Sequence, residues 1–255
     1  MLNTATGGAW TAQARPNPAA RLRLFCFPYA GGGAALFRDW ADEVPGNVDV
    51  VPVQLPGRER RMAEDPFTRM APLRDAIAEG IRPLLDLPFA FFGHSMGAVL
   101  AFEVARELRR SGGPRPARLF VSGCRGPQLP ELQPPTHHLP DAAFLEEIRR
   151  LGGMPRELLG SPELMELLLP VLRADMELCE TYEYEPGPPL DSPVTVFGGQ
   201  DDPEVPTGDL DPWRELTTGE CRVQLFPGDH FFLQSGAPAF LRHLRQELAG
   251  VLRSL

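Results

Sequence analysis

Short apolar runs punctuate this chain, and most are continuous rather than alternating. Leu22–Phe27, Val48–Val53, Phe89–Phe92, Leu119–Ser122, Val194–Phe197 and Arg222–Phe226 are rich in Val, Phe and Leu and bounded by Gly, Pro or Asp. Apolar runs of that kind suit strands covered on both faces, as in a parallel sheet. Between them, apolar positions recur at helical spacing over Leu36–Glu43, Met70–Leu85, Gly97–Arg110, Pro206–Thr217 and Pro238–Leu252. In the last segment Phe240, Leu241, Leu244, Leu248 and Leu252 form one stripe, with Arg and Glu elsewhere. Strands alternating with helices over this length predict an α/β fold built on an open, mostly parallel, doubly wound sheet.

One connection breaks the rhythm. From Ser122 to Val194 no strand is predicted, although a crossover needs only about a dozen residues. The segment carries two amphipathic helix candidates, Asp141–Leu151 and Pro162–Tyr182, the second with Pro170 at an expected kink. Two readings are open: a helical layer packed on the sheet, or a lid at about 135–187 whose Met and Leu side chains line an adaptable apolar tunnel. Residues 1–20 lack periodicity and are expected to be a flexible leader, leaving 21–255 as a single domain.

The charge balance changes the list of partners. The 255 residues hold 25 Lys+Arg against 34 Asp+Glu, a formal net charge of −9, and that field works against a phosphate-binding surface. Nucleic acid is therefore not an expected partner. No stretch approaches 18 consecutive apolar residues and the N-terminus lacks a signal-peptide h-region, so a cytoplasmic protein with no membrane partner is expected. Cys26, Cys124, Cys179 and Cys221 lie far apart without metal-ligand spacing; Cys26 and Cys221 read as buried thiols.

The chemistry centres on Gly93-His94-Ser95-Met96-Gly97, a G-x-S-x-G between an apolar strand and a helical stretch. That spacing makes a strand-to-helix turn sharp enough to lift a serine hydroxyl above the sheet, and glycine on both flanks removes Cβ atoms that would clash. Ser95 needs a base to take its proton. Among the five histidines, His94 is too close to the turn, His137 and His138 belong to the long connection, and His243 sits in the last helix. His230 follows the final strand, at the carboxyl end where a doubly wound sheet places its site. The orienting carboxylate should follow the preceding strand, where Asp201 and Asp202 are adjacent; spacing does not choose between them, and Asp229 is too near the histidine to reach its ring readily. The order Ser, Asp, His is that of α/β-hydrolases. One oxyanion donor is expected from the Met96 N–H and another from the glycine run Gly31-Gly32-Gly33 after the first strand. That run fits neither a P-loop nor a dinucleotide fingerprint.

Together the segments FPYAGGG, VQLPGRERR at 53–61, FFGHSMGA, LGG at 151–153, TYEYEPG at 181–187, VFGGQDDPEV and FPGDHFFL, in this order from about Arg21 to Leu248, resemble the type II thioesterases of polyketide and nonribosomal peptide biosynthesis. The resemblance implies an α/β-hydrolase that removes acyl groups from the phosphopantetheine arm of acyl or peptidyl carrier proteins, clearing stalled or misprimed synthases. It implies Asp202, the residue before Pro in D-P-x-V, as the third triad member and Ala30 as the loop oxyanion donor. The long connection becomes a mobile lid. Tyr29 stands where some relatives carry His and is a substrate-binding candidate. A monomer without metal or organic cofactor is expected. Because carrier proteins are usually acidic, Arg58, Arg60 and Arg61, and the pair Arg149 and Arg150, are candidates for a local docking patch. A general carboxylesterase or lipase-like hydrolase, or an acyltransferase, could use the same scaffold.

Overall fold

In the first strand, successive side chains leave for opposite faces. Phe25 and Phe27 enter one apolar core while Leu22, Leu24 and Cys26 enter another. The same division by twos recurs at Phe89 and Phe91 against Ala90 and Phe92, and at Leu119 and Val121 against Phe120. Two-sided burial is the physical reason for continuous apolar runs. The computed structural model describes residues 8–12, 17–131, 133–152 and 161–255.

The strands are β1 (Leu22–Phe27), β2 (Val48–Pro52), β3 (Phe89–His94), β4 (Arg118–Ser122), β5 (Val194–Gly199) and β6 (Cys221–Phe226). They form one sheet in the order β2-β1-β3-β4-β5-β6, with every pair parallel. The principal helices are α1 (Trp40–Glu43), α2 (Met70–Ile81), α3 (Met96–Arg110), α4 (Asp141–Leu151), α5 (Pro162–Glu180), α6 (Phe232–Ser235) and α7 (Ala237–Ser254). Helices α2 and α3 supply Leu73, Ile77, Leu100 and Val104 to one core. Helices α1 and α7 supply Trp40, Phe240, Leu244 and Leu248 to the other. The strand order reverses between β1 and β3, so the carboxyl ends of those two strands open a crevice where such sheets bind ligands.

The insertion between β4 and β5 has a core of its own. Phe144, Ile148, Met165 and Leu172 are buried together between α4 and α5, apart from the two sheet cores. Helix α5 runs through Pro170 without interruption. Pro170 and Glu166 are both exposed, so the carbonyl that the proline leaves without a donor can face water.

Several expectations need correction. Residues 8–12 and 17–20 are tied down rather than loose: Thr11 bridges to Val53, Trp10 packs beside Phe67 under the Arg61 guanidinium, and Asn17 Nδ2 donates to Gly46 and Val48 carbonyls. The remainder of the expected leader lies outside the described residues, as do Gly153 and residues 154–160 of the insertion. Thr207–Leu216 is a 3-10 helix rather than an α-helix, with Pro212 inside it. Strand β6 lies at the sheet edge and alternates in exposure, which leaves Cys221 half-buried; only Cys26 of the two expected thiols is buried. Among the described residues no helix is long and apolar enough to cross a membrane.

Candidate active site

The turn after β3 carries its strain at one residue. Ser95 sits at φ 52°, ψ −120°, where an L-residue is rarely found, and is the N-cap of α3. Its N–H donates to the Ser122 carbonyl at 2.8 Å, and its carbonyl accepts from Ala98 N–H at 2.9 Å. The flanking glycines are required by close backbone approach. A Cβ on Gly93 would lie 2.0 Å from the Gly97 carbonyl oxygen, and one on Gly97 would lie 2.2 Å from that of Phe27. Gly97→Ala is therefore expected to cost at least about 3 kcal/mol, because rigid backbone from β1 must yield. Chemical denaturation measures it, and a loss below about 1 kcal/mol would show that helix and strand can separate freely.

The loops after β5 and β6 approach closely. Asp201 N–H donates to the Gly228 carbonyl at 3.0 Å, and a Cβ on Gly199 would meet the Asp229 carbonyl at 2.4 Å. This contact brings Asp202 and His230 together: Asp202 Oδ2 lies 2.8 Å from His230 Nδ1, with both side chains nearly removed from solvent. Asp202 Oδ1 accepts from the N–H groups of Glu204 at 2.9 Å and Val205 at 3.1 Å, so the carboxylate is held at both oxygens. Asp201 is exposed. Asp229 is exposed too, and its Oδ1 accepts from Phe231 N–H. Of the two adjacent carboxylates, Asp202 is the one in contact with the His230 ring.

Ser95, Met96, His230, Tyr29 and Ala30 line one cavity of about 650 Å³. Its apolar wall includes Met70 from α2, Val99 from α3, Ile148 from α4, and Leu172 and Met176 from α5. The insertion thus closes over the crevice opened at β1 and β3. A family model for the thioesterase domain matches residues 22–248.

The chain belongs to the thioesterase family.

Gramicidin S biosynthesis protein GrsT of Aneurinibacillus migulanus is 45% identical over 243 residues, covering 95% of each chain. The RedJ thioesterase from the prodiginine biosynthetic pathway of Streptomyces coelicolor superposes with a TM-score of 0.85 at 45% identity, over 92% of this chain and 90% of that one. The type II thioesterase BorB from the borrelidin biosynthetic cluster does so with a TM-score of 0.86 at 36% identity, over 94% and 98%. With these relatives, the protein is a hydrolase of the type II thioesterase kind on the α/β-hydrolase fold.

Other side chains around the thioesterase site complete the picture. Tyr29 is buried with its hydroxyl accepting from Gln234 Nε2 at 2.6 Å, and its ring packs edge-on against His94 and Phe231. His94 lies beneath the site, its Nδ1 2.9 Å from Ser122 Oγ and its ring centroid 5.0 Å from that of His230. Burial, reinforced by the charge His230 can carry, holds the His94 imidazole well below its ordinary value. The unfolded chain then binds a proton that the folded chain refuses. Stability from this group is complete above the unfolded value of about 6.5 and falls as pH drops below it. His94→Gln is expected to flatten the fall in Tm between about pH 6.5 and 5; an unchanged slope would assign that fall to other groups.

Of the arginines expected as docking candidates the structure withdraws only Arg58, while Arg60, Arg149 and Arg150 are exposed and Arg60 donates to the Thr11 carbonyl at 2.9 Å. Arg58 is buried and paired bidentately with Asp175 at 2.7 Å through each nitrogen. Arg61 pairs with Glu64, Arg149 with Glu146, and Arg150 with Glu147 and Glu204. Arg58 and Asp175 are 117 residues apart, and nothing in the arginine-rich run distinguishes the buried one from its neighbours. Gln234 was also missed, since a glutamine after a Phe-rich loop carries no signal of its own.

Proposed function

We propose that this thioesterase hydrolyses acyl groups held as thioesters on the phosphopantetheine arm of acyl or peptidyl carrier proteins, clearing stalled or misprimed synthases. Ser95 is the nucleophile, His230 the base, Asp202 its orienting carboxylate, and the Ala30 and Met96 N–H groups the oxyanion hole. The observation that carries the reading is that His230, paired with the buried Asp202, lines one cavity with a serine held at positive φ. The biosynthetic roles in the names of the relatives support the choice of carrier-bound substrate.

In this mechanism the acyl chain lies against the apolar wall under the insertion, which acts as the lid. His230 Nε2 takes the Ser95 proton as Oγ bonds to the thioester carbonyl carbon. Negative charge moves to the carbonyl oxygen, where backbone donors at the start of α3 and in the glycine loop meet it. Asp202 keeps the Nδ1 proton in place and stabilises the imidazolium. The C–S bond then breaks, His230 protonates the leaving thiolate, and water repeats the sequence to release the acid and restore Ser95.

Comparing acyl-pantetheine thioesters with p-nitrophenyl esters of matched chain length tests the substrate class. The thioester is expected to win in kcat/KM by about tenfold or more, a difference of about 1.4 kcal/mol in transition-state binding. A preference for the oxygen ester would reassign the protein as a general esterase. Faster turnover with an added alcohol or amine would make it an acyltransferase.

A further inference from the structure

The glycine loop after β1 is gripped from two directions. Asp175 Oδ2, from the C-terminal half of α5, accepts the Gly31 N–H at 2.7 Å. The same carboxylate takes both arms of Arg58, whose Nη1 also donates to the Gly32 carbonyl at 3.0 Å and whose Nε donates to the Pro56 carbonyl at 3.2 Å. Next to Arg58, Glu59 Oε1 accepts the Ala35 N–H at 2.9 Å. Arg58 is flanked by two residues at positive φ, Gly57 at 80° and Glu59 at 50°. A non-glycine residue in that region is strained, and the turn places Arg58 against the Gly32 carbonyl and Glu59 against the Ala35 N–H just beyond the glycine run. The Arg58 and Asp175 side chains are 7% and 3% exposed, so water does not substitute for these contacts.

We propose that Arg58 and Asp175 are positioning residues for the oxyanion hole: by clamping Gly31 and Gly32 they aim the Ala30 N–H into the cavity and fasten α5 to that loop. The inference rests on the reading of Ser95 and Ala30 given above. Two physical points carry it. Gly31, at φ 75°, spends its own N–H on Asp175, so the donor presented to substrate is that of the preceding residue. A carboxylate this close to a developing oxyanion opposes it unless neutralised, and the bidentate arginine does so.

The test replaces both members, Arg58→Met with Asp175→Leu, because removing a buried ion pair together avoids leaving one charge stranded. Activity per titrated active site, Tm, and inhibition by an acyl trifluoromethyl ketone are measured together. Ser95 adds to the ketone carbon and the resulting oxyanion occupies the hole. In the folded variant kcat is expected to fall about ten- to hundredfold with KM within about threefold, part of the 10²–10³ lost when a donor is removed outright. The ketone Ki should rise by the factor lost in kcat/KM. A purely structural role would lower Tm and the active fraction while leaving kcat per site and Ki unchanged, and that result overturns the proposal. So does a loss of kcat with unchanged Ki. Arg58→Lys, which keeps the charge without the fork, supplies the same readouts if the pair variant does not fold. Ser95→Ala run alongside separates the two claims: turnover surviving there removes the serine reading itself, whereas wild-type behaviour of the pair variant removes only the clamp.

Discussion

Ser95→Ala is expected to lower kcat on an acyl-thioester substrate by about 10⁴- to 10⁶-fold, the range seen when the nucleophile of a triad is removed. The backbone at this position should survive the change. Its φ of 52° is held by the hydrogen bonds of its own N–H and carbonyl to Ser122 and Ala98, and alanine occupies that conformation no less readily than serine. The apolar wall is untouched, so substrate binding should persist and a Kd for a non-hydrolysable thioester analogue should stay near that of the parent. Steady-state hydrolysis and intact-mass detection of an acyl-enzyme are the measurements. Turnover within about tenfold of the parent would mean that another group attacks the carbonyl.

Asp202→Asn is expected to cost about 10⁴ in kcat, and Asp201→Asn close to nothing. Local hydrogen bonding explains the first number. Asp202 Oδ1 already accepts two backbone N–H groups, from Glu204 and Val205, so an asparagine there keeps its oxygen on that side. Its amide nitrogen then faces His230 Nδ1, which must present a lone pair. The proton moves to Nε2, and the imidazole can no longer accept from Ser95. The exposed carboxylate of Asp201 has no such leverage. Parallel kinetics of the two variants decide the matter: equal losses would show a general charge effect, and a larger loss at Asp201 would move the role there.

The frame was legible because its signals are local. Six apolar runs anticipated six strands to within a couple of residues; two-sided burial leaves a continuous apolar stretch in the inner strands, while the edge strand β6 alternates in exposure. The serine turn was legible because two glycines are demanded by backbone contacts under 2.5 Å. The readings that failed depend on distant partners. Arg58 in an Arg-Glu-Arg-Arg run has the look of a solvated side chain, and only the arrival of α5 buries it. Trp10 gives no periodicity because a single anchoring ring has none, yet it occupies a niche beside Gly80 where a Cβ would lie 2.2 Å from its ring. The 3-10 helix at Thr207–Leu216 has apolar residues at Leu210, Trp213 and Leu216, a spacing of three that an α-helical reading absorbs without protest.

Helix α5 belongs to two neighbourhoods. Met165 and Leu172 sit in the small cluster shared with α4, while Leu178 lies in the core beneath the sheet. The cluster with α4 is a semi-autonomous block, resting on its own few apolar side chains, whereas the last turns of the helix are welded to the main body. Substitution of Ile148, in α4, would reshape the cavity wall away from the sheet, whereas Leu172 and Met176 flank Asp175 and its hydrogen bond to the Gly31 N–H.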